Sequence, residues 1–308
     1  MAVLNTYPVG TAGVPWGSDE TAAWLARQSI KRSYRKDVLE KIPLLKEHFN
    51  VEQYGALSHD EDRYPLFAFP SKKWDKSNET VLVTGGVHGY ETSGVQGAIR
   101  FLDILDPALT DRLNLIVVPC VSPWGYETIN RWNPNAVDPN RSFTHGSTAE
   151  EAAFLMSYVT SLDCTITAHI DLHETTDTDR SEFGPALAAR DGLELDDCNI
   201  PDGFYLVGDV NRPVPEFQKA IIQSVGKVTH IAEPDNSGHI IGEKVEQPGV
   251  INYAIKTRGL CTGFSDAEFS TTTEVYPDSP NVDDQICIAA QVAAVTSALN
   301  YILTRLGS

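Results

Sequence analysis

Apolar residues along this chain come in short dense runs, and stretches with a helical period separate them from one end to the other. Val81, Leu82 and Val83 form one such run, and Val95, Ile99 and Leu102 follow at helical spacing, which predicts strand, glycine-rich corner and helix. Residues 114–121 are the most apolar run and predict a central strand of a mostly parallel sheet. Further strands are expected at 64–69, 165–170 and 203–207, and again near 249–254, 259–263 and 269–273. Helices are expected at 18–28, at 33–49 with the stripe Val38, Ile42 and Leu45, and at 93–105 before Asp106-Pro107. Three more fall at 149–162, 214–225 and 283–306. Strands and helices alternate without repeats or low-complexity linkers. The expectation is a single α/β domain with a mixed, mostly parallel central sheet flanked by helices. Two polar stretches stand out: 122–146 is too long to be an idle loop, and the acidic 171–201 is expected to cover one end of the sheet.

Composition narrows the partners. A formal charge of −18 over 308 residues argues against nucleic acid or an anionic membrane as the main partner. Residues 1–13 show no basic stretch followed by an apolar core, so no secretory signal is expected. The apolar stretch 286–303 is interrupted by Gln291, Thr296, Ser297 and Asn300, which suggests a buried helix rather than a span. The five cysteines, Cys120, Cys164, Cys198, Cys261 and Cys287, have no paired spacing, which suits reduced thiols in a cytoplasmic protein.

Chemistry concentrates at strand ends. In Gly85-Gly86-Val87-His88-Gly89-Tyr90-Glu91 an imidazole and a carboxylate stand three residues apart where a strand meets solvent. Such a pair can close on a divalent cation, and two nitrogens with one carboxylate suit zinc; alternatively Glu91 caps the following helix. His173, in Ile170-Asp171-Leu172-His173-Glu174, offers the distant third ligand, or is simply a hydrogen-bonded histidine. His169 shares a strand face with Asp171 and His173, but a packed core histidine is the simpler reading. In α/β sheets the ligand crevice lies beyond the carboxyl ends of the strands, so the loops after Val83, Val121 and Ile170 should meet.

From about Val81 onward these motifs, in this order, resemble the zinc carboxypeptidases of the carboxypeptidase A type. The resemblance implies that His88, Glu91 and His173 bind one zinc ion per chain. It matches Ala136-Val137-Asp138-Pro139-Asn140-Arg141 to the family's Gly-Val-Asp-x-Asn-Arg segment. Asp138 would then orient the first zinc histidine, and Asn140 and Arg141 would hold the substrate's terminal carboxylate. Arg131 would polarise the scissile carbonyl. Thr271-Thr272-Thr273-Glu274 is similar to the strand that presents the catalytic glutamate, and Tyr253 to the substrate-binding tyrosine. Residues 71–308 would be the catalytic region, with 1–70 an N-terminal helical segment and first strand packed on it.

Two positions depart from the pattern. Ala136 replaces the usual glycine, and Pro139 removes a backbone donor just before the clamp. Asp171-Leu172-His173-Glu174-Thr175-Thr176 also resembles the aspartoacylase and succinylglutamate desuccinylase branch, in which the catalytic glutamate falls earlier and Glu233 becomes a candidate. The leading expectation is a metallocarboxypeptidase acting on a peptide or small amide with a free carboxylate. The alternatives are a deacylase of small N-acyl amino acids and a zinc-containing binding protein without turnover. Side-chain preference and oligomeric state are not written in the sequence.

Overall fold

The computed structural model describes residues 7–46, 49–194 and 199–306; Cys198 and the first residues of the N-terminal stretch read above lie outside them. Among the described residues there are ten strands: β1 (Glu52–Ala56), β2 (Pro65–Pro70), β3 (Glu79–Gly85), β4 (Leu113–Val118), β5 (Ile166–Glu174), β6 (Tyr205–Asp209), β7 (His239–Ile240), β8 (Glu243–Lys244), β9 (Val250–Tyr253) and β10 (Phe269–Val275). The helices are α1 (Ser18–Leu25), α2 (Tyr34–Asp37), α3 (Ile42–Leu45), α4 (Thr92–Ile104), α5 (Pro123–Thr128), α6 (Glu150–Ser161), α7 (Gly184–Asp191), α8 (Pro215–Val225), α9 (Cys261–Phe264) and α10 (Asp284–Leu306).

Eight strands make one mixed sheet in the order β1-β2-β4-β3-β5-β10-β6-β9, and β7 with β8 forms a separate ribbon. The central four, β4, β3, β5 and β10, run parallel. Antiparallel pairing sets in where β2 joins β4 and where β10 joins β6. Strand alternation divides the core into two layers. Val81, Val83, Leu115, Val117, Ile170 and Leu172 pack beneath α4, α8 and α10, while Leu82, Ile116 and Val118 face α6. Each of these strands is buried on both faces, which is why its sequence reads as a continuous apolar run. α10 is long and apolar enough to cross a membrane by length and composition, and here it packs on α4 and α8. Cys120, Cys164, Cys261 and Cys287 form no disulfide.

The structure corrects three expectations. Residues 33–46 are not one helix but α2, a 3-10 turn (Leu39–Lys41) and α3. Pro43 lacks an N–H, and its ring would clash with the carbonyl four residues back in a continuous helix. Residues 259–263 form no strand: Gly259 sits at φ +65° and the chain turns into α9. β5 runs four residues further than expected, to Glu174, because Asp171 and His173 satisfy each other and stay buried in the sheet. The edge strand β1 was missed altogether; Gln53 and Gly55 break any apolar alternation.

One buried carboxyl gives the fold a pH dependence. Glu151 on α6 is 1 % exposed, and its neighbours Ser122 and Asn133 stand at 3.5 and 3.4 Å. Burial pushes its pKa up to about 7 from 4.5. A carboxyl raised in this way favours folding below pH 4.5, and that contribution disappears as pH rises through 7. Glu151→Gln is therefore expected to stabilise the protein at pH 8 by up to about 3 kcal/mol, since each pKa unit corresponds to about 1.4 kcal/mol. The gain at pH 5 should be much smaller. Urea unfolding at the two pH values measures the difference.

Candidate metal centre and active site

Three parallel strands deliver the site. Beyond β3 the chain turns through residues 86–91 into α4. Gly89 is required there, because a Cβ would lie 2.1 Å from the Tyr126 nitrogen and 2.3 Å from the Ser122 carbonyl oxygen. The turn places His88 and Glu91 beside the end of β5, and the β5–β10 register sets Glu274 level with His173.

His88 Nδ1 lies 2.8 Å from Glu91 Oε1, and His173 Nδ1 lies 2.7 Å from Glu91 Oε2. The second contact is close but poorly aligned, so Glu91 Oε2 is left as a buried oxygen without a hydrogen-bond partner. The two imidazoles meet edge to face at 4.9 Å, and each residue's ligand atom lies within 4.8 Å of the others. All three residues are at most 2 % exposed. The far nitrogen of each ring is held by a carboxylate: His88 Nε2 donates to Asp138 at 2.9 Å, and His173 Nε2 to Asp171 at 2.7 Å. Two imidazoles and one carboxylate are a donor set that suits zinc, and here they come with outer carboxylates of the kind that fix histidine orientation and with an orphaned buried oxygen. The residues fit the metal. Burial would raise the Glu91 pKa, but His173 and His88 outweigh it and hold the carboxyl at about 2. Burial also works against charge on His173, and here Asp171 and Glu91 prevail and raise its pKa well above the usual value.

Glu91 stands at the N-cap of α4 without capping it. Glu174 does that instead, accepting from the backbone nitrogens of Ser93 at 2.6 Å and Thr92 at 3.1 Å. The alternative role for Glu91 is thus taken by a neighbour, and Glu91 is left to face the histidines.

A cavity of 280 Å³ opens over the cluster, lined by His88, Glu91, Arg131, Asn140, Arg141, Tyr253 and Glu274 among others. Arg131 is fixed between two carboxylates, Asp138 Oδ2 and Asp179 Oδ1, each at 3.1 Å. The Asn140 side-chain oxygen accepts from the Cys261 nitrogen at 2.8 Å, and Arg141 turns back to the Asn140 carbonyl at 2.7 Å. Glu274 Oε2 accepts from Thr175 Oγ1 at 2.9 Å. Its pKa is pushed up to about 8 by burial, with His173 opposing and Glu91 adding.

Solved structures with this architecture are numerous. A presumptive metallopeptidase from Shewanella denitrificans aligns over 87 % of this chain and 88 % of its own, with TM-score 0.66 and 20 % identity. A metallo-carboxypeptidase from Burkholderia cenocepacia aligns over 94 % of this chain and 70 % of its own, with TM-score 0.58 and 14 % identity. Bovine thrombin-activatable fibrinolysis inhibitor aligns over 92 % and 99 %, with TM-score 0.59 and 10 % identity. The fold is carboxypeptidase-like. Residues 77–195 match the family model of the succinylglutamate desuccinylase/aspartoacylase catalytic domain. No curated protein matches the chain.

Within this carboxypeptidase-like fold the two sequence departures have different consequences. Ala136 adopts φ +57°, the left-handed region that glycine enters without strain. Pro139 opens a single 3-10 turn (Pro139–Arg141), in which Asn140 N donates to Asp138 Oδ1; the missing proline donor is not needed. Glu233 is exposed and lines a neighbouring cleft, not the cavity with the triad. His169 is buried behind the site, between Thr84 and Ser265 at 3.0 Å each, and burial lowers its pKa to about 4.

Sequence reasoning missed four contributors. Asp171 had a signal, since it stands two residues before His173 on one strand face. Glu174 and Asp179 are ordinary acidic residues in an acidic stretch. Arg32, in the N-terminal segment, had no signal at all. Its guanidinium donates to the carbonyls of Tyr126 at 2.6 Å, Gly89 at 2.8 Å and Tyr90 at 3.1 Å, and to Thr92 Oγ1 at 2.6 Å. It also stacks on the Tyr126 ring at 3.7 Å. Arg32 thereby ties the ligand-bearing turn to α5. Arg32→Ala is expected to weaken metal binding at the cluster about 10- to 100-fold, as loss of support behind metal ligands does. It should also cost about 1–3 kcal/mol for each buried carbonyl that water cannot reach. Chelator competition and thermal unfolding read the two effects separately.

Proposed function

We propose that this protein is a zinc-dependent hydrolase that cleaves a peptide or amide bond next to a free carboxylate, acting as a metallocarboxypeptidase. The observation that carries the reading is the convergence of His88, Glu91 and His173 beneath a cavity that also holds Glu274, Arg131 and Arg141. Zinc held by the triad would supply Lewis acidity and lower the pKa of a water toward neutrality.

The chain's own groups supply the rest. Glu274 takes a proton from the attacking water and returns it to the leaving amine. Arg131, already oriented by Asp138 and Asp179, faces the oxygen that gains charge and needs no reorganisation to do so. Arg141 offers a fork that matches a terminal carboxylate. Tyr253, on the cavity wall, closes over the substrate, and Asn140 holds the α9 segment against the clamp.

A second reading, deacylation of a small N-acyl amino acid, is favoured by the match over residues 77–195. It uses the same metal and the same base, because Glu233 lies outside the cavity. Parallel assays on short peptides and on acyl amino acids with the zinc-loaded protein decide between them. A clear preference for acyl amino acids would reverse the order. A protein with one zinc per chain that turns over neither class would be a binding protein instead.

A further inference from the structure

Behind each of the two clustered histidines stands a carboxylate, and the two carboxylates are held differently. Asp138, behind His88, accepts from the Arg131 guanidinium at 3.1 Å and from the Asn140 nitrogen at 2.9 Å. Asp171, behind His173, accepts instead from the Thr84 hydroxyl, at 2.6 Å. The parallel pairing of β3 with β5 puts Thr84 beside Asp171 and Leu82 beside His169, and alternation along β5 turns His169, Asp171 and His173 to one face. His169 Nε2 lies 3.0 Å from the same Thr84 oxygen. Thr84, His169 and Asp171 are all fully buried.

Proton positions along this line follow from what each group can give. Asp171 accepts on both oxygens, from Thr84 and from His173, so the single Thr84 hydroxyl proton points at Asp171. Toward His169, Thr84 Oγ1 can then only accept, which places the His169 proton on Nε2. Burial lowers the His169 pKa to about 4, so near neutral pH the ring carries that one proton. Its Nδ1 accepts from the Ser265 hydroxyl at 3.0 Å, closer than the 3.3 Å between that hydroxyl and the Thr262 carbonyl. Cys261 Sγ, 3.6 Å from Thr84 Oγ1, is a second and weaker donor to it. The line is thus directed, Ser265 to His169 to Thr84 to Asp171, with every proton pointing toward the carboxylate behind His173. Phe264 meets the His169 ring edge-on at 5.5 Å, but filling that space alone would need no ring nitrogen.

We propose that His169 is a positioning residue for the metal centre, a role that rests on the zinc-hydrolase reading above. By donating to Thr84 it pins the Asp171 carboxylate. Asp171 in turn keeps the His173 proton on Nε2 and leaves Nδ1, the nitrogen beside Glu91, bare for a metal. Hydrogen bonds in such a line polarise one another, and a buried hydroxyl deprived of its donor would hold Asp171 less firmly.

The test uses the full-length protein loaded with zinc. Histidine-nitrogen NMR on isotopically labelled protein is expected to show His169 neutral and protonated at Nε2 at neutral pH; protonation at Nδ1 would overturn the proposal. His169→Phe keeps the packing and removes both hydrogen bonds. By chelator competition it is expected to weaken zinc binding about tenfold, the low end for loss of an outer partner. His169→Gln can still donate to Thr84 and should restore most of that affinity. Thr84→Val should cost at least as much as His169→Phe, and the double variant no more than Thr84→Val alone, because both changes cut one line. An unchanged affinity in His169→Phe, or losses that add in the double variant, would remove the role and leave the metal centre standing. Should His169→Phe fail to fold, the NMR tautomer decides alone. An unaltered protein that binds no zinc would remove the metal reading and this role together.

Discussion

Glu274→Gln is expected to lower kcat by about 10²- to 10⁴-fold, the range that a well-placed general base contributes, with zinc content unchanged. Glutamine keeps the size and the hydrogen bond from Thr175 but cannot accept a proton. The carboxyl stands at the carboxyl end of β10, level with His173, and Oε2 is already held by Thr175. Burial lifts its pKa to about 8, and His173 pulls the other way. A cation held by Glu91 and His173 lowers it further, into the range where one group can both take and return a proton near neutral pH. The acidic limb of the rate profile should therefore fall as pH drops through this pKa and should vanish in the glutamine variant. Metal analysis beside steady-state kinetics makes the test clean: an unchanged kcat at full zinc occupancy would mean that Glu274 is not the base.

The second large effect is on the metal. Stripping the protein with a chelator is expected to abolish turnover, and added zinc to restore it. At a thousandfold excess over its dissociation constant, zinc should stabilise the fold by about 4 kcal/mol. His173→Ala removes a ligand and also deprives Asp171, which is fully buried, of its charged partner. Uncoupling a buried pair in this way costs about 3–5 kcal/mol. Thr84 Oγ1, 2.6 Å from Asp171, offsets part of that. Zinc stoichiometry and unfolding curves follow the two consequences independently. If the alanine variant binds zinc as tightly as the parent, the three-residue site is wrong.

The sequence made the site legible because metal ligands and sheet position are both local signals. Val81 to Val83 and the run through Ile116 announce buried parallel strands by composition alone, and ligands at their carboxyl ends follow from how α/β sheets are built. The order of the motifs supplied Glu274 and Arg141. What stayed hidden depends on distance. Asp179 reaches Arg131 across 48 residues and Arg32 reaches Gly89 across 57, and no spacing rule links such positions. The edge strand β1, with its bulge between Gln53 and Gly55, lacks the alternation that would mark it. The break in the predicted helix at 33–49 was in principle readable, since Pro43 stands in plain sight.

The Arg32 contact has a practical corollary for anyone shortening this protein. A version begun at residue 77, just before β3, would retain all three candidate ligands and the whole of the stretch that matches a family model. It would also leave the carbonyls of Gly89, Tyr90 and Tyr126 without the cation that gathers them. The part of the chain that can be recognised is shorter than the part that must be kept, and the difference begins 45 residues before residue 77, at Arg32.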